Sequence, residues 1–382
     1  MKNTLLTHSI SWIPLKGEND TTIPKHYGEE LNLKWLDKDH VPGQSDIGVF
    51  KWGHDDSCQC VEFSHDGDFV ASGSCDGYVC IWDPKTTDCV STLDHREKWV
   101  FDVKFSPDDY QLATAAADCA ARLWQIKDPT TGKITDDPYV VRVLQEHTNW
   151  VTATLFFRGG KNLMTCSADK TVRLWDIDKG VAKDVGRRHS SWINDIAIDE
   201  SERILACASA DKRVSLWEVG TNDTLNCIRT LLQHRDWVMK VIFTKEDSNI
   251  LLSVSKDATV CIWNVKEQQL LKVMDDGHEA PILSICQSNI NRQGIRHLIT
   301  SSEDKTCMFW NLKNQAVARQ GRRKKHSVGH TGPIYDVACS PDGAYFATAC
   351  EDTSVRIWNA ITCVCLKKLE HREDNSWKDD VM

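Results

Sequence analysis

Histidine, aspartate and hydroxyl side chains recur at a fixed spacing along this chain, and such groups can relay protons or activate a nucleophile. The sequence Asp-x5-Trp occurs seven times, each time with a histidine about 28 residues before the tryptophan. The aspartates are Asp76, Asp118, Asp169, Asp211, Asp257, Asp304 and Asp352. The histidines are His54, His95, His147, His189, His234, His278 and His330. Because the same groups recur in every copy, we expect a shared framework role rather than seven active sites.

The repeat period of about 40–50 residues predicts a repeat architecture, and such folds commonly build a surface for partners. In the third copy, short β-rich runs are separated by turn residues at 158–162 and 168–170. Each copy holds four such runs. Seven four-stranded sheets packed radially would form an all-β propeller.

These motifs resemble the WD40-repeat β-propeller family over roughly residues 46–370. In the first copy a Gly-His pair precedes Asp76 and Trp82, and the seventh copy ends in Asp352 and Trp358. The resemblance implies a seven-bladed propeller. The alternative is eight blades, with a degenerate N-terminal blade within residues 1–45.

The resemblance also implies a buried Asp–His–Ser/Thr–Trp network in each blade. Aspartate can accept turn amides and the histidine N–H, while the tryptophan donates its indole N–H and fills the core. Six copies carry serine or threonine four residues before the aspartate, whereas the fourth carries Cys207, which predicts a weaker network there. We assign this structural role most clearly to His54, Ser72, Asp76, Trp82, His147, Thr165, Asp169, Trp175, His330, Thr348, Asp352 and Trp358.

Composition limits the function. The formal net charge of -9 argues against direct nucleic-acid binding. The sixteen cysteines are scattered without a Cys-x2-Cys pair, so we expect no metal site. No segment resembles a signal peptide or a membrane span, and we expect a reducing compartment, the cytoplasm or nucleus. The basic run at 322–325 is interpreted as a solvated turn or, alternatively, an import signal.

The two ends of the repeat region define three predicted parts. Residues 1–45 form an N-terminal extension or degenerate blade, residues 46–370 the propeller, and residues 371–382 a C-terminal tail. Two strand-like segments, 48–52 and 364–369, are both candidates for closing the ring.

A second set of tryptophans starts the inner strand in copies two to five, three or four residues after the repeat histidine. In the WD40 family the matching positions lie at the top rim of the central channel and face a ligand. The residue two further on points the same way, and residues before the turn aspartates add charge. The predicted partner-binding residues are Trp99, Phe101, Trp150, Trp192, Asn194, Trp237, Met239, Lys256, Glu303, Tyr335 and Glu351.

We therefore expect a non-catalytic scaffold or adaptor that binds proteins or peptides on its top face, as a subunit of a larger complex. No phosphate loop or nucleophile–base pair stands out from the repeat, and we expect no cofactor. The alternative is a substrate-recognition subunit of a ubiquitin ligase, although no copy ends in the Trp-Asp-x-Arg pattern of some such receptors.

Overall fold

The computed structural model describes residues 53–245, 247–275, 277–288, 297–311 and 329–369. These residues form seven antiparallel sheets, each built from strands that are consecutive along the chain. Six of the seven sheets have four strands each. The remaining sheet, that of blade six, has three strands within the described ranges. The protein is thus an all-β, seven-bladed propeller, as the sequence predicts.

The strands of the first three blades are β1 Cys58–Phe63, β2 Val70–Ser74, β3 Tyr78–Trp82, β4 Cys89–Asp94, β5 Val100–Phe105, β6 Gln111–Ala116, β7 Ala121–Lys127, β8 Ile134–Leu144, β9 Val151–Phe157, β10 Asn162–Ser167, β11 Thr171–Asp176 and β12 Val181–Arg187. Those of blades four and five are β13 Ile193–Ile198, β14 Ile204–Ser209, β15 Arg213–Val219, β16 Leu225–Leu232, β17 Val238–Phe243, β18 Ile250–Ser255, β19 Val260–Asn264 and β20 Gln269–Met274. Those of blades six and seven are β21 Ile282–Gln287, β22 His297–Ser302, β23 Cys307–Asn311, β24 Ile334–Cys339, β25 Tyr345–Cys350, β26 Val355–Asn359 and β27 Cys365–Leu369.

Each blade turns sharply between its second and third strands, at the repeat aspartate. The residue after that aspartate has a left-handed backbone in all seven copies, with φ between 64° and 84°. In the first copy it is Gly77, where a Cβ would lie 2.7 Å from the Cα of Glu97. The carboxylate of Asp76 stabilises the turn by accepting the N–H of Tyr78 at 2.8 Å. A turn that needs this carboxylate explains why the aspartate recurs at one spacing.

The core lies between neighbouring blades. The repeat tryptophans are at most 8% exposed, and each packs within a mixed cluster. Trp217 of blade four, for example, contacts a cluster that includes Phe157 and Met164 of blade three. Because each sheet buries apolar side chains against the next one, the blades stabilise one another around the ring.

The ring closes between blades seven and one. Val61 and Trp82 of blade one share a buried cluster with Ala347 and Ile357 of blade seven. The N–H of Val61 also donates to Asp336 of blade seven at 3.0 Å. These direct contacts leave no room for an eighth blade, so the eight-bladed alternative is wrong.

The outer strand of blade seven is β27, which pairs with β26. The C-terminal candidate, 364–369, therefore supplies this strand, whereas the other candidate, 48–52, lies outside the described residues. The predicted extension 1–45, the predicted tail 371–382 and the basic run 322–325 also lie outside them. In the part of the chain that is described, no helix is long and apolar enough to cross a membrane.

Candidate partner-binding face

The histidine and aspartate of the first blade belong to a closed hydrogen-bond network. His54 Nδ1 lies 2.9 Å from an Asp76 carboxylate oxygen and His54 Nε2 lies 2.7 Å from Ser72 Oγ. Trp82 Nε1 donates to the same hydroxyl at 2.8 Å. All groups are satisfied when Nδ1–H donates to the carboxylate and the hydroxyl donates to Nε2.

The same network forms in blades three, five, six and seven. Its sets are His147–Asp169–Thr165–Trp175, His234–Asp257–Ser253–Trp263, His278–Asp304–Thr300–Trp310 and His330–Asp352–Thr348–Trp358. The hydroxyl residues of these blades are fully buried. Since each hydroxyl is already bonded on both sides and shielded from solvent, these sets act in the framework of the blade and offer no open nucleophile.

Blade four builds its network from a different residue. Cys207 lacks the hydroxyl, but Ser215 stands directly opposite it on the neighbouring strand. Ser215 Oγ lies 2.7 Å from His189 Nε2 and accepts the Trp217 indole N–H at 2.7 Å. The predicted weakening of this network is therefore wrong, because the hydroxyl has only changed strands.

Blade two departs from the pattern where no difference was expected. Arg122 forms an ion pair with Asp118, and its Nη1 lies 3.2 Å from His95 Nδ1. His95 Nε2 is buried without a hydrogen-bond partner. Burial, together with the charge of Arg122, lowers the pKa of His95 to about 3. The arginine thus takes the place that histidine occupies beside aspartate in the other blades.

Among the described residues, one group combines potential metal ligands, namely His330, Cys350 and Asp352. His330 Nδ1 is bonded to Asp352 at 2.9 Å. The Cys350 thiol donates to the Gly332 carbonyl at 3.3 Å and accepts the Asp352 N–H at 3.4 Å. These contacts belong to the hydrogen-bond network and the turn of blade seven, which explains why the three side chains lie close together.

The second set of tryptophans lies on one rim of the propeller. In blades two to five the carbonyl of each rim tryptophan accepts the N–H of the residue before the turn aspartate, at 2.9 Å. Trp237 is joined in this way to Lys256. In blades six and seven, Pro281 and Pro333 bind Glu303 and Glu351 through equivalent bonds of 3.0 Å. This shared pairing brings the rim and the turn residues to the same face.

The rings of the rim tryptophans are in contact from blade to blade. The ring centroids are 6.0 Å apart for Trp99 and Trp150, 5.7 Å for Trp150 and Trp192, and 6.0 Å for Trp192 and Trp237. Phe101 stacks on Trp150 at 5.5 Å. We call these five residues the aromatic arc. Trp99 is 40% exposed and the other four are half-buried, so the arc is a continuous apolar surface with solvent access.

The arc ends at charged residues. Lys256 Nζ lies 4.6 Å from the centre of the Trp237 ring and 4.0 Å from Glu303 Oε1. Burial lowers the pKa of Lys256. Burial also raises the pKa of Glu303, and nearby Glu351 raises it further against the effect of Lys256. The Lys256 ammonium is therefore close to Glu303 of blade six, and Glu303 in turn is close to Glu351 of blade seven.

The remaining predicted site residues lie close by but differ in exposure and contacts. The Asn194 amide donates to the Val238 carbonyl at 2.7 Å, and Met239 packs against the core between blades five and six. Both are half-buried and link neighbouring blades. Tyr335 is half-buried, and burial followed by the charge of Glu351 raises its pKa.

Sequence reasoning missed a set of ion pairs on the inner strands. Lys104 Nζ lies 3.2 Å from both Glu62 and Asp102, and Lys240 Nζ lies 2.5 Å from Asp336. Charged residues within short, otherwise apolar strands are an available signal, because such residues are rarely buried unless they are paired. Asp102 lies on the same strand as Lys104, but Glu62 and Asp336 come from other blades, and the sequence spacing alone does not pair residues of different blades.

The fold and this face together define a propeller of the repeat type. A family model described as "WD domain, G-beta repeat" matches residues 45–83, 87–125, 138–176, 183–218, 225–264, 268–311 and 322–359. The chain therefore belongs to the WD40-repeat family.

Several curated proteins are similar in sequence. "Nuclear distribution protein nudF" of Aspergillus flavus is 34% identical over 284 residues, which cover 69% of this chain and 59% of that protein. "Protein tipD" of Dictyostelium discoideum is 24% identical over 326 residues, covering 85% of this chain and 43% of tipD. "Transcriptional corepressor LEUNIG_HOMOLOG" of Arabidopsis thaliana is 31% identical over 128 residues, covering 33% and 15%. The chain spans less than two thirds of the length of each of these relatives.

Proposed function

We propose that this protein is a non-catalytic scaffold or adaptor that binds partner proteins or peptides through the aromatic arc and assembles a multiprotein complex. The observation that carries the proposal is the unbroken ring contact from Trp99 to Trp237 across four blades. Large apolar surfaces that keep solvent access usually mark interaction sites.

The arc has the properties of a binding anchor. Aromatic pairs at these separations stabilise one another by about 0.5–1.5 kcal/mol, so the rings are held in place before a partner arrives. Tryptophan is enriched among the residues that carry most of the binding energy at interfaces. A rigid surface also loses little conformational entropy on binding. Solvent-accessible, mutually packed tryptophans therefore suit a preformed docking site.

The relatives agree with this class of function. Their names describe nuclear distribution and transcriptional corepression, and propellers of this family act as protein-interaction scaffolds. We infer a cytoplasmic or nuclear location on the same basis. The ubiquitin-ligase alternative gains no support from these relatives. The net charge of -9 favours protein partners over direct nucleic-acid contact.

The test is affinity purification with mass spectrometry, comparing wild type with Trp150→Ala/Trp192→Ala. We expect the double variant to lose at least one specific partner, because it removes the two central anchors of the arc. Tyr139→Ala is the matched control, since Tyr139 is 58% exposed on the outer strand β8. Circular dichroism verifies that both variants are folded. An unchanged set of partners in the folded double variant would refute the proposal.

A further inference from the structure

The residues at the rim of the propeller change from aromatic on blade five to acidic on blades six and seven. Trp237 on blade five is the last ring of the arc, and Lys256 lies over it. Glu303 and Glu351 follow at the equivalent turn positions of blades six and seven. A ligand that lies along the arc and continues in this direction therefore leaves the rings and meets the carboxylates.

The spacing of the rings matches an extended peptide. Successive centroids from Trp99 to Trp237 are 5.7–6.0 Å apart. Two residues of an extended chain advance about 6.4–6.8 Å, and alternate side chains point to the same side. In a polyproline II helix the same side recurs only after three residues, or about 9.3 Å. The arc therefore fits a β-like segment, with every second side chain directed at a ring.

The carboxylates of Glu303 and Glu351 at the acidic end lie near each other, and the charge of Glu351 raises the pKa of Glu303. Lys256 Nζ is 4.0 Å from Glu303 Oε1, a long ion pair, and it also faces the Trp237 ring. Lys305, on the same turn as Glu303, donates its ammonium to the Thr331 carbonyl at 2.6 Å. The Glu351 side chain packs over Gly332, where a Cβ would lie only 3.0 Å from its Oε2. A cationic side chain of a ligand would be attracted to both carboxylates.

We propose that this face binds an extended peptide whose alternate aliphatic side chains lie on the aromatic arc, and whose next alternate residue is a lysine or arginine paired with Glu303 and Glu351. The proposal rests on the proposed function and names its partner chemistry. The arc supplies affinity through apolar burial, and the two carboxylates supply the selection for charge.

Removing the charge of Lys256 should change peptide affinity in a direction that distinguishes a basic ligand from an acidic one. In a complex with a basic peptide, its ammonium lies near the incoming cation and competes for Glu303. Replacing it with methionine keeps much of the side-chain volume over Trp237 and removes the charge. Lys256→Met is therefore expected to strengthen binding of a basic peptide. If the site selected an acidic peptide through Lys256, the same change would weaken binding.

The probes are synthetic nine-residue peptides with leucine at alternate positions and arginine at the next alternate position, placed at either end. Matched peptides carry glutamate instead of arginine, and a third set has the apolar residues at every third position. Titration calorimetry with the wild-type chain is expected to show the arginine peptide binding about fivefold to tenfold more tightly than the glutamate peptide. The third set is expected to bind more weakly than the first.

Four variants complete the experiment. Glu303→Gln/Glu351→Gln is expected to bring the arginine and glutamate peptides within about twofold of each other, whereas the control Glu218→Gln, an exposed residue of β15, retains the difference. Lys256→Met tightens binding of the arginine peptide. Trp150→Ala/Trp192→Ala abolishes binding of every peptide.

The peptide assignment would be overturned by equal binding of arginine and glutamate peptides, or by weaker binding of the arginine peptide to Lys256→Met. Failure of all the peptides to bind would overturn it as well. In each case the proposed function stands if Trp150→Ala/Trp192→Ala still loses its cellular partners. If that variant keeps all partners, the proposed function itself has failed.

Discussion

Substitutions in blade four can test whether the network of a blade requires a hydroxyl group in space, whichever strand of the sequence supplies it. Ser215 provides the only hydroxyl in the described network of this blade, opposite Cys207 on the paired strand. Blade one has the reverse arrangement, with Ser72 opposite Cys80. We expect Ser215→Ala to destabilise the protein and the double variant Cys207→Ser/Ser215→Ala to recover most of the loss.

The magnitude follows from the two groups that lose their partner. Without Ser215 Oγ, His189 Nε2 and the Trp217 indole N–H are both left unpaired in a fully buried site. A buried polar group without a partner costs about 1–3 kcal/mol, so we expect a loss of about 3 kcal/mol in the free energy of unfolding. With about 2.1 cal/mol/K of unfolding entropy per residue over roughly 320 residues, this corresponds to a Tm lower by about 4–5 °C.

The assay is urea unfolding followed by tryptophan fluorescence and circular dichroism, together with calorimetry for Tm. The double variant is expected to recover at least about 2 kcal/mol, because Ser72 shows that a hydroxyl in the strand-two position reaches both partners. Cys207→Ser alone is the control and should change stability by less than about 1 kcal/mol. A loss below about 0.5 kcal/mol for Ser215→Ala, or the absence of rescue, would refute the reasoning.

Two further predictions concern charges. Asp336→Asn is expected to lower the free energy of unfolding by about 3 kcal/mol in chemical denaturation, because the carboxylate binds groups from three other blades; a change no larger than that of an exposed aspartate variant would contradict this. Burial raises the pKa of Asp304, but hydrogen bonds from His278 and Thr306 outweigh it and lower the pKa to about 2. A lowered pKa stabilises the fold above the unfolded value near 4, and this stability is lost as the pH falls toward 2. Circular dichroism should show acid unfolding in this range, and Asp304→Asn should reduce the dependence of stability on pH.

The sequence predicts most of the fold because the framework depends on local geometry. A left-handed turn after Asp76 and a bond from the Trp82 indole both fix distances within one blade, so they appear as fixed spacings. The shift of the hydroxyl to Ser215 was missed, since it becomes apparent only when the two strands are in register. Likewise, nothing in the spacing distinguishes Arg122 as a residue that displaces histidine from Asp118.

For the candidate site, the sequence predicts the positions of the residues but not the contacts between them. Trp99 and Trp150 are far apart in the sequence, and their contact depends on how adjacent blades pack. The repeat placed both at the start of inner strands but could not tell whether the rings would meet. The ion pair of Lys240 with Asp336 depends on how the blades are arranged around the ring, because it joins the non-adjacent blades five and seven. Interactions between blades are therefore where the sequence pattern loses its predictive value.

The framework and the candidate site are connected through single backbone bonds. His189 holds Asp211 at 2.9 Å, and the preceding residue, Ala210, donates its N–H to the carbonyl of Trp192. A network that fixes the turn therefore also fixes the start of the inner strand, from which the Trp192 ring projects. The same arrangement recurs in blades three and five. The buried tryptophans of the repeat thus contribute to binding indirectly, because a docking surface of four rings on separate sheets stays preorganised only while each turn is held.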